Sequence, residues 1–136
     1  MTALAGGCLC DGVRFEVTEE PLTASYCHCT RCQRRTGTAA SAQARFAPGA
    51  VHIIDGEQLL KWFAPPDGFH KGFCSECGSA LFSRPPSGGE PTGVRLGAFD
   101  GDPGIRPQYR QFVEYAAAWE PIPDDGLERF PESRPR

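Results

Sequence analysis

Cys27-His28-Cys29-Thr30-Arg31-Cys32 packs three thiols into one short loop, and the remaining four cysteines form two equally tight pairs, Cys8-Leu9-Cys10 and Cys74-Ser75-Glu76-Cys77-Gly78. CxC and CxxC spacings suit a shared metal ion better than they suit disulfides, and an odd total of seven argues against complete pairing. Structural zinc is normally closed by four protein ligands, whereas a catalytic zinc keeps one position open for water or substrate. Four thiols plus three therefore predict two zinc sites of different kinds on one small domain. A secreted disulfide framework with one thiol left over is the competing reading, and the cluster geometry speaks against it.

Working outward from the cysteines, the chain reads as many short strands. Val13, Phe15 and Val17 alternate with Arg14 and Glu16, the period of a half-buried strand over Gly12 to Val17. The first cysteine pair thus sits on the turn that enters it. Further strands are expected over Ser41 to Phe46, Val51 to Ile54, Leu59 to Phe63, Phe69 to Phe73, Ala80 to Ser83, Val94 to Leu96 and Tyr109 to Tyr115. Turn sequences separate them, among them Pro48-Gly49, Asp55-Gly56, Pro65-Pro66-Asp67-Gly68 and Asp100 to Gly104. After the second cluster, Gln33 to Thr36 fits one helical turn stopped by Gly37 in the left-handed conformation. The prediction is a mainly β fold of short antiparallel strands in stacked or folded-over sheets with little helix.

The chain has 136 residues, enough for one domain with a real core. Residues 1–120 are expected to form the zinc-binding domain. Residues 121–136 are rich in Pro, Asp, Glu and Arg and are expected to form a loose or peripheral tail. A net charge of -3 gives no global attraction to phosphate backbones or anionic membranes, so neither nucleic acid nor a membrane is an expected partner. The first seven residues lack a basic region followed by an apolar one, and nowhere do ~18 apolar residues run together, which predicts a cytoplasmic protein. Oligomeric state is not readable from the chain.

Cys8, Cys10, Cys74 and Cys77 together predict a closed tetrahedral site with Zn–S bonds of ~2.3 Å, structural in kind. A CxC buried apart from the CxxC is the alternative, because spacing does not show which pairs meet. Cys27, Cys29 and Cys32 leave an ion one ligand short. The fourth place falls to water, an incoming thiol or His28, and an ion with only one surplus negative charge keeps the power to lower the pKa of a bound thiol or water. His28 lies between two ligands, where its ring would usually point away from the ion, so it reads as supporting or substrate-facing. Three thiolates with an open position also hold their ion less firmly than four.

Arg31, Arg34 and Arg35 follow this loop directly. They read either as a solvated basic turn offsetting thiolate charge or as a clamp for carboxylates, which guanidinium groups grip bidentately. Acidic metabolites with a free thiol would satisfy both the open metal site and the arginines. His52 and His70 are given no role.

Gly6-Gly7-Cys8-Leu9-Cys10, Cys27 to Arg34, Phe73-Cys74-Ser75-Glu76-Cys77-Gly78-Ser79 and Leu96-Gly97-Ala98-Phe99-Asp100 resemble the glutathione-dependent formaldehyde-activating enzyme family, which also includes centromere protein V. The likeness runs from about Gly6 to Trp119. It implies an Mss4-like zinc-containing β fold, a structural zinc on Cys8, Cys10, Cys74 and Cys77, and a catalytic-type zinc on Cys27, Cys29 and Cys32. The family's reaction, classed as a carbon–sulfur lyase in reverse, condenses glutathione with formaldehyde to S-hydroxymethylglutathione. The resemblance therefore implies a thiol such as glutathione and a small aldehyde as partners. Asp11-Gly12 stands where the family often has glycine after the first CxC. Two other function classes are weighed against the enzyme: a non-catalytic zinc module for a protein partner, which an exposed apolar patch without a pocket would favour, and a nucleic-acid-binding role, which the acidic balance disfavours.

Overall fold

The computed structural model describes residues 3–135. In chain order the elements are β1 (Leu4–Gly7), β2 (Arg14–Val17), β3 (Thr23–Cys27), α1 (Thr30–Thr36), β4 (Ser41–Arg45), β5 (Val51–Asp55), β6 (Leu60–Phe63), β7 (His70–Cys74), β8 (Ala80–Arg84), β9 (Gly93–Arg95), β10 (Tyr109–Gln111) and β11 (Glu128–Arg129). The fold is mainly β, as the turn-rich sequence predicts. β1, β2 and β5 form a three-stranded antiparallel sheet, and the other strands form an eight-stranded sheet in the order β11-β10-β3-β4-β9-β8-β7-β6. The larger sheet is antiparallel except around β10, which runs parallel to both β3 and β11.

The core lies between the sheets. Phe15 of β2 meets Phe82 of β8 edge to face at 5.1 Å and Phe99 at 5.5 Å. Val13, Val17, Ala44, Phe46, Leu81 and Val94 close around them, each almost or wholly without solvent contact. Burial of each large apolar side chain is worth on the order of 1.5–3 kcal/mol. Ala24, Ala44, Val94 and Phe82 belong to neighbouring strands of the large sheet and all face this core. By the period of two, their chain neighbours face the opposite side of the sheet.

Three strands are not evident in the sequence pattern. β1 is half glycine, and β11 is two exposed residues held by its partner. β3 reads Thr-Ala-Ser-Tyr-Cys, with polar residues where a simple strand would show water-facing or core-facing uniformity. Conversely, the expected strand over Tyr109 to Tyr115 stops at Gln111, because Phe112 takes φ 57 and begins a 3₁₀ turn over Val113–Tyr115. Residues 121–135 run along the edge of the sheet, and part of this stretch is tied to it. β11 pairs with β10, the Phe112 N–H donates to the Glu132 carbonyl at 2.9 Å, and the Val113 N–H donates to the Phe130 carbonyl at 3.1 Å. The backbone groups β10 offers at its free edge supply this order.

Candidate metal centres and cleft

The four sulfurs of Cys8, Cys10, Cys74 and Cys77 lie within 4.8 Å of one another. Cys8 Sγ is 3.5 Å from Cys10 Sγ, and Cys10 Sγ is 3.8 Å from Cys74 Sγ. A tetrahedron with bonds of ~2.3 Å has edges of ~3.8 Å, so this donor set fits a four-thiolate metal site without rearrangement. Cys8 and Cys10 flank the turn between β1 and β2, while Cys74 ends β7 and Cys77 belongs to the turn into β8. Asp11 takes φ 61 on the first turn, a left-handed conformation that Asp tolerates better than most residues, so the turn forms without glycine there.

Backbone and hydroxyl donors serve the sulfurs. The Val13 N–H donates to Cys8 Sγ at 3.2 Å, and Ser79 Oγ lies 3.2 Å from Cys77 Sγ while accepting the Leu9 N–H at 2.9 Å. Crowded thiols cannot all ionise on their own. Although the Gly12 N–H pulls Cys10 down, the neighbouring Cys8, burial, and the sulfurs of Cys77 and Cys74 push it up to about 12. Cys77, chiefly through the Ser79 hydroxyl and backbone, is pulled down to about 5. A divalent cation would relieve this competition by letting all four sulfurs bind as thiolates.

The sulfurs of Cys27, Cys29 and Cys32 also lie within 4.8 Å of one another. Cys27 ends β3, Cys29 caps the N-terminus of α1 with its sulfur accepting the Cys32 N–H at 3.3 Å, and Cys32 sits in the first helical turn. Gly37 stops α1 at φ 68, with its N–H donating to the Gln33 carbonyl, as the sequence predicts. The neighbouring Cys29 and Cys32 thiols and burial push Cys27 up; Cys32 is pulled down, first by hydrogen bonds from Cys27 and Cys29 and then by Ser41 and Arg95. The hydrogen bonds within the trio thus favour the thiolate at Cys32 over Cys27.

His28 does not complete the set. As the residue after Cys27 it is turned by the strand pleat to the other side of the sheet. There its Nε2 lies 3.1 Å from Nη1 of Arg110, which also donates to Asp125 at 2.7 Å and lies over the Tyr26 ring at 4.3 Å. Burial and the Arg110 charge lower the His28 pKa, holding it as a neutral acceptor. His28 is 3% and Arg110 8% exposed, and neither contributes to the cleft on the sulfur side.

That cleft, about 860 Å³, has one face of the large sheet as its floor. Thr23, Ser25 and Cys27 of β3 stand opposite Arg45, Gln43 and Ser41 of β4. Gln43 and Arg45 stand opposite Arg95 and Gly93 of β9, Gly93 opposite Ser83 of β8, and Ser83 opposite Lys71 of β7. On the other flank, Ser25 and Cys27 are level with Tyr109 and Gln111 of β10. Every second residue is core, and every other one is floor. Gln43 ties the floor together: its Oε1 accepts from Arg95 at 2.7 Å and Ser41 at 2.7 Å, and its Nε2 donates to Ser25 Oγ at 3.0 Å. Phe69, Phe112, Arg31 and the segment Ser133 to Pro135 form the walls.

Of the arginines next to the loop, only Arg31 reaches this cleft, and Asp67 pairs with it at 2.8 Å on the rim. Arg34 is exposed away from it. Arg35 is drawn off by the Phe73 ring, 5.1 Å from its guanidinium, and by the Gly72 carbonyl. Arg45, Lys71 and Arg95 are the cations that line the floor, and the sequence marks them only through strand parity, which needs the topology to be read. Lys71 is held below its usual range by burial and by Arg95.

Two cysteine clusters with converging sulfurs on a two-sheet β scaffold, one of four thiols and one of three that opens on a large cleft, define a domain that could hold two metal ions. The family model described as glutathione-dependent formaldehyde-activating enzyme matches residues 3–115, and the chain belongs to that family. A crystal structure of a Rhodobacter sphaeroides protein shares the fold, with a TM-score of 0.57 and 24% identity, covering 93% of this chain and 98% of that one. No curated protein matches the chain.

Proposed function

We propose that this protein is a zinc-dependent enzyme of carbon–sulfur lyase type that joins glutathione or a similar thiol to formaldehyde or another small aldehyde as an S-hydroxymethyl adduct. The observation that carries the reading is the position of Cys27, Cys29 and Cys32: three converging sulfurs at the wall of a large cleft, with no fourth ligand closing the set among the described residues. The family supports a glutathione-dependent, formaldehyde-activating type of activity. Cys8, Cys10, Cys74 and Cys77 would hold a structural zinc, and Cys27, Cys29 and Cys32 the catalytic-type one.

Cys27, Cys29 and Cys32 would hold the ion, whose charge would favour the deprotonated form of a thiol brought beside them. The chain's own residues bind and orient. Arg95, fixed by Gln43, and Lys71 and Arg45 hold the thiol's anionic groups on the floor, so that its sulfur is directed to the cysteine wall. In the addition, a C–S bond forms at the aldehyde carbon and the C=O π pair moves to oxygen. The proton lost from sulfur goes to solvent, and a solvent proton completes the hydroxyl. Seven free thiols call for a reducing compartment, and we assign the protein to the cytoplasm.

Formaldehyde adds to thiols unaided, so the test is a rate. Magnetisation exchange between free ¹³C-formaldehyde and its glutathione adduct, or the adduct of another thiol, should quicken with zinc-loaded protein and return to the buffer rate with Cys32→Ser. Exchange at the buffer rate for every thiol tried would refute the enzyme.

A further inference from the structure

The C-terminal segment brings to the cleft one cation that the sheet does not supply. Arg134 lines it between Ser133 and Pro135, and three contacts fix its place on β10. The Phe112 N–H donates to the Glu132 carbonyl at 2.9 Å, the Arg134 N–H donates to Gln111 Oε1 at 3.2 Å, and the Arg134 guanidinium lies over the Tyr109 ring, 4.8 Å from its centroid. Tyr109 is buried and meets Phe130 edge to face at 5.7 Å, so the ring is a fixed platform. A guanidinium held over an aromatic ring keeps its N–H donors available at its edge. Those of Arg134 enter no ion pair among the described residues.

Strand register sets how far this cation stands from the sulfurs. Gln111 is level with Cys27, where the three thiols gather, and Tyr109 is level with Ser25. Two residues of strand separate the levels, about 6.6 Å at ~3.3 Å per residue. In glutathione the cysteinyl and glycyl α-carbons are about 3.8 Å apart, and the sulfur beyond one and the carboxylate beyond the other extend the span to about 7 Å. The γ-glutamyl carboxylate is two bonds farther from sulfur and shares its carbon with an ammonium. That pair of charges fits the mixed charges of the floor, where the cysteine sulfurs lie beside Lys71 and Arg95, better than a lone guanidinium. Resting on the thiol-handling reading above, we propose that Arg134 is a substrate-binding residue that grips the glycyl carboxylate of glutathione and so sets its cysteinyl sulfur at the wall of Cys27, Cys29 and Cys32. The guanidinium donates two parallel N–H bonds to the carboxylate oxygens, and the γ-glutamyl end is left to the floor. Arg134 lies outside residues 3–115, so the contact comes from a stretch beyond the family-matched region.

The test is calorimetric titration of zinc-loaded protein with glutathione, with its glycyl monoethyl ester and with γ-glutamylcysteine, which lacks the glycine. Wild type should bind glutathione about 10-fold tighter than either, the effect of one charge-assisted bidentate contact. Arg134→Gln should lose about 10-fold on glutathione and less than about 2-fold on the other two. Arg134→Lys should fall between, since an ammonium keeps the charge but not the fork. Arg134 is exposed, and a substitution that merely disturbed its segment would weaken all three thiols alike. Equal loss on glutathione and its ester, or no loss on glutathione, would overturn this assignment and leave the thiol-handling site standing. Binding of none of the three to wild type would overturn both.

Discussion

Replacing Cys10 by Ser isolates the contribution of the four-cysteine clasp. Cys10 is exposed, so the substitution removes a ligand without opening a core cavity, whereas Cys74 is fully buried and its replacement would confound the two effects. Cys10 and Cys74 are 64 positions apart, and an ion bridging them closes a loop of that length. The chain-entropy estimate for such a cross-link is about 4 kcal/mol at 25 °C. With an m-value of about 2 kcal/mol/M, that moves the urea midpoint by about 2 M, or the melting temperature by roughly 15 °C for a domain of this size. Cys27 and Cys32, only five positions apart, clasp a turn already closed by the Cys32 N–H to Cys29 Sγ bond, and the same estimate gives them at most about 2 kcal/mol. The assay is urea unfolding followed by the fluorescence of Trp62 and Trp119, with and without a chelator. Chelation should lower the wild-type midpoint by about 2 M, Cys10→Ser should lie near the chelated value and respond little, and Cys32→Ser should stay high and remain chelator-sensitive. A chelator shift below about 0.5 M in the wild type, or a Cys10→Ser protein that still loses about 2 M on chelation, would refute the clasp.

Two further predictions concern the C-terminal segment. The Arg110 hydrogen bond, followed by the Leu127 N–H, holds the Asp125 carboxyl below the usual carboxylate range. Its stabilisation is therefore present above the unfolded pKa near ~3.9 and is lost as pH falls through the lower folded value. Urea midpoints from about pH 6 downward should fall more steeply for wild type than for Asp125→Asn, and parallel curves would refute the coupling. Truncation after Leu127 removes β11 and Arg134 but no core residue of the sandwich. Amide exchange should then quicken at Phe112 and Val113, which donate to Glu132 and Phe130, while β3 and β4 stay protected; uniform loss of protection would show that the segment holds the whole domain.

The parts legible in the sequence are those written in local chemistry. Cysteine spacing marks both clusters, Gly37 marks the end of α1, and the alternation through Val13, Phe15 and Val17 marks the strand at the centre of the core. What escapes is written in the sheet. Arg45, Lys71 and Arg95 come from three strands and become one cationic floor only when β4, β9, β8 and β7 pair in register. β3 hides because both its faces are specialised, Ala24 toward the core and Ser25 toward the cleft, so neither hydrophobic alternation nor a continuous apolar run appears. Arg35 shows the converse limit: beside Arg31 and Arg34 it reads as part of a clamp, yet the Phe73 ring across the sheet claims its guanidinium.

The two cysteine clusters are built from similar knuckles, and what separates a closed site from an open one is the origin of the fourth ligand. The first site draws Cys8 and Cys10 from one turn and Cys74 and Cys77 from another, and the core that packs β2 against β8 holds those turns together. The second draws all three sulfurs from one end of β3 and the helix that follows, and among the described residues no second segment brings a fourth metal-ligating side chain to them. His28 is near enough in sequence to have closed the set, but the pleat turns it behind the strand, and the buried Arg110, itself anchored by Asp125, keeps its ring there. A neutral His28 accepting from Arg110 is satisfied where it stands, and turning toward the sulfurs would leave a buried guanidinium without that partner, at a cost typical of an unmade hydrogen bond from a charged group, about 1–3 kcal/mol or more. His28 is thus kept away from the three sulfurs from the far side of the sheet, by the same C-terminal segment that reaches around β10 to wall the cleft with Arg134.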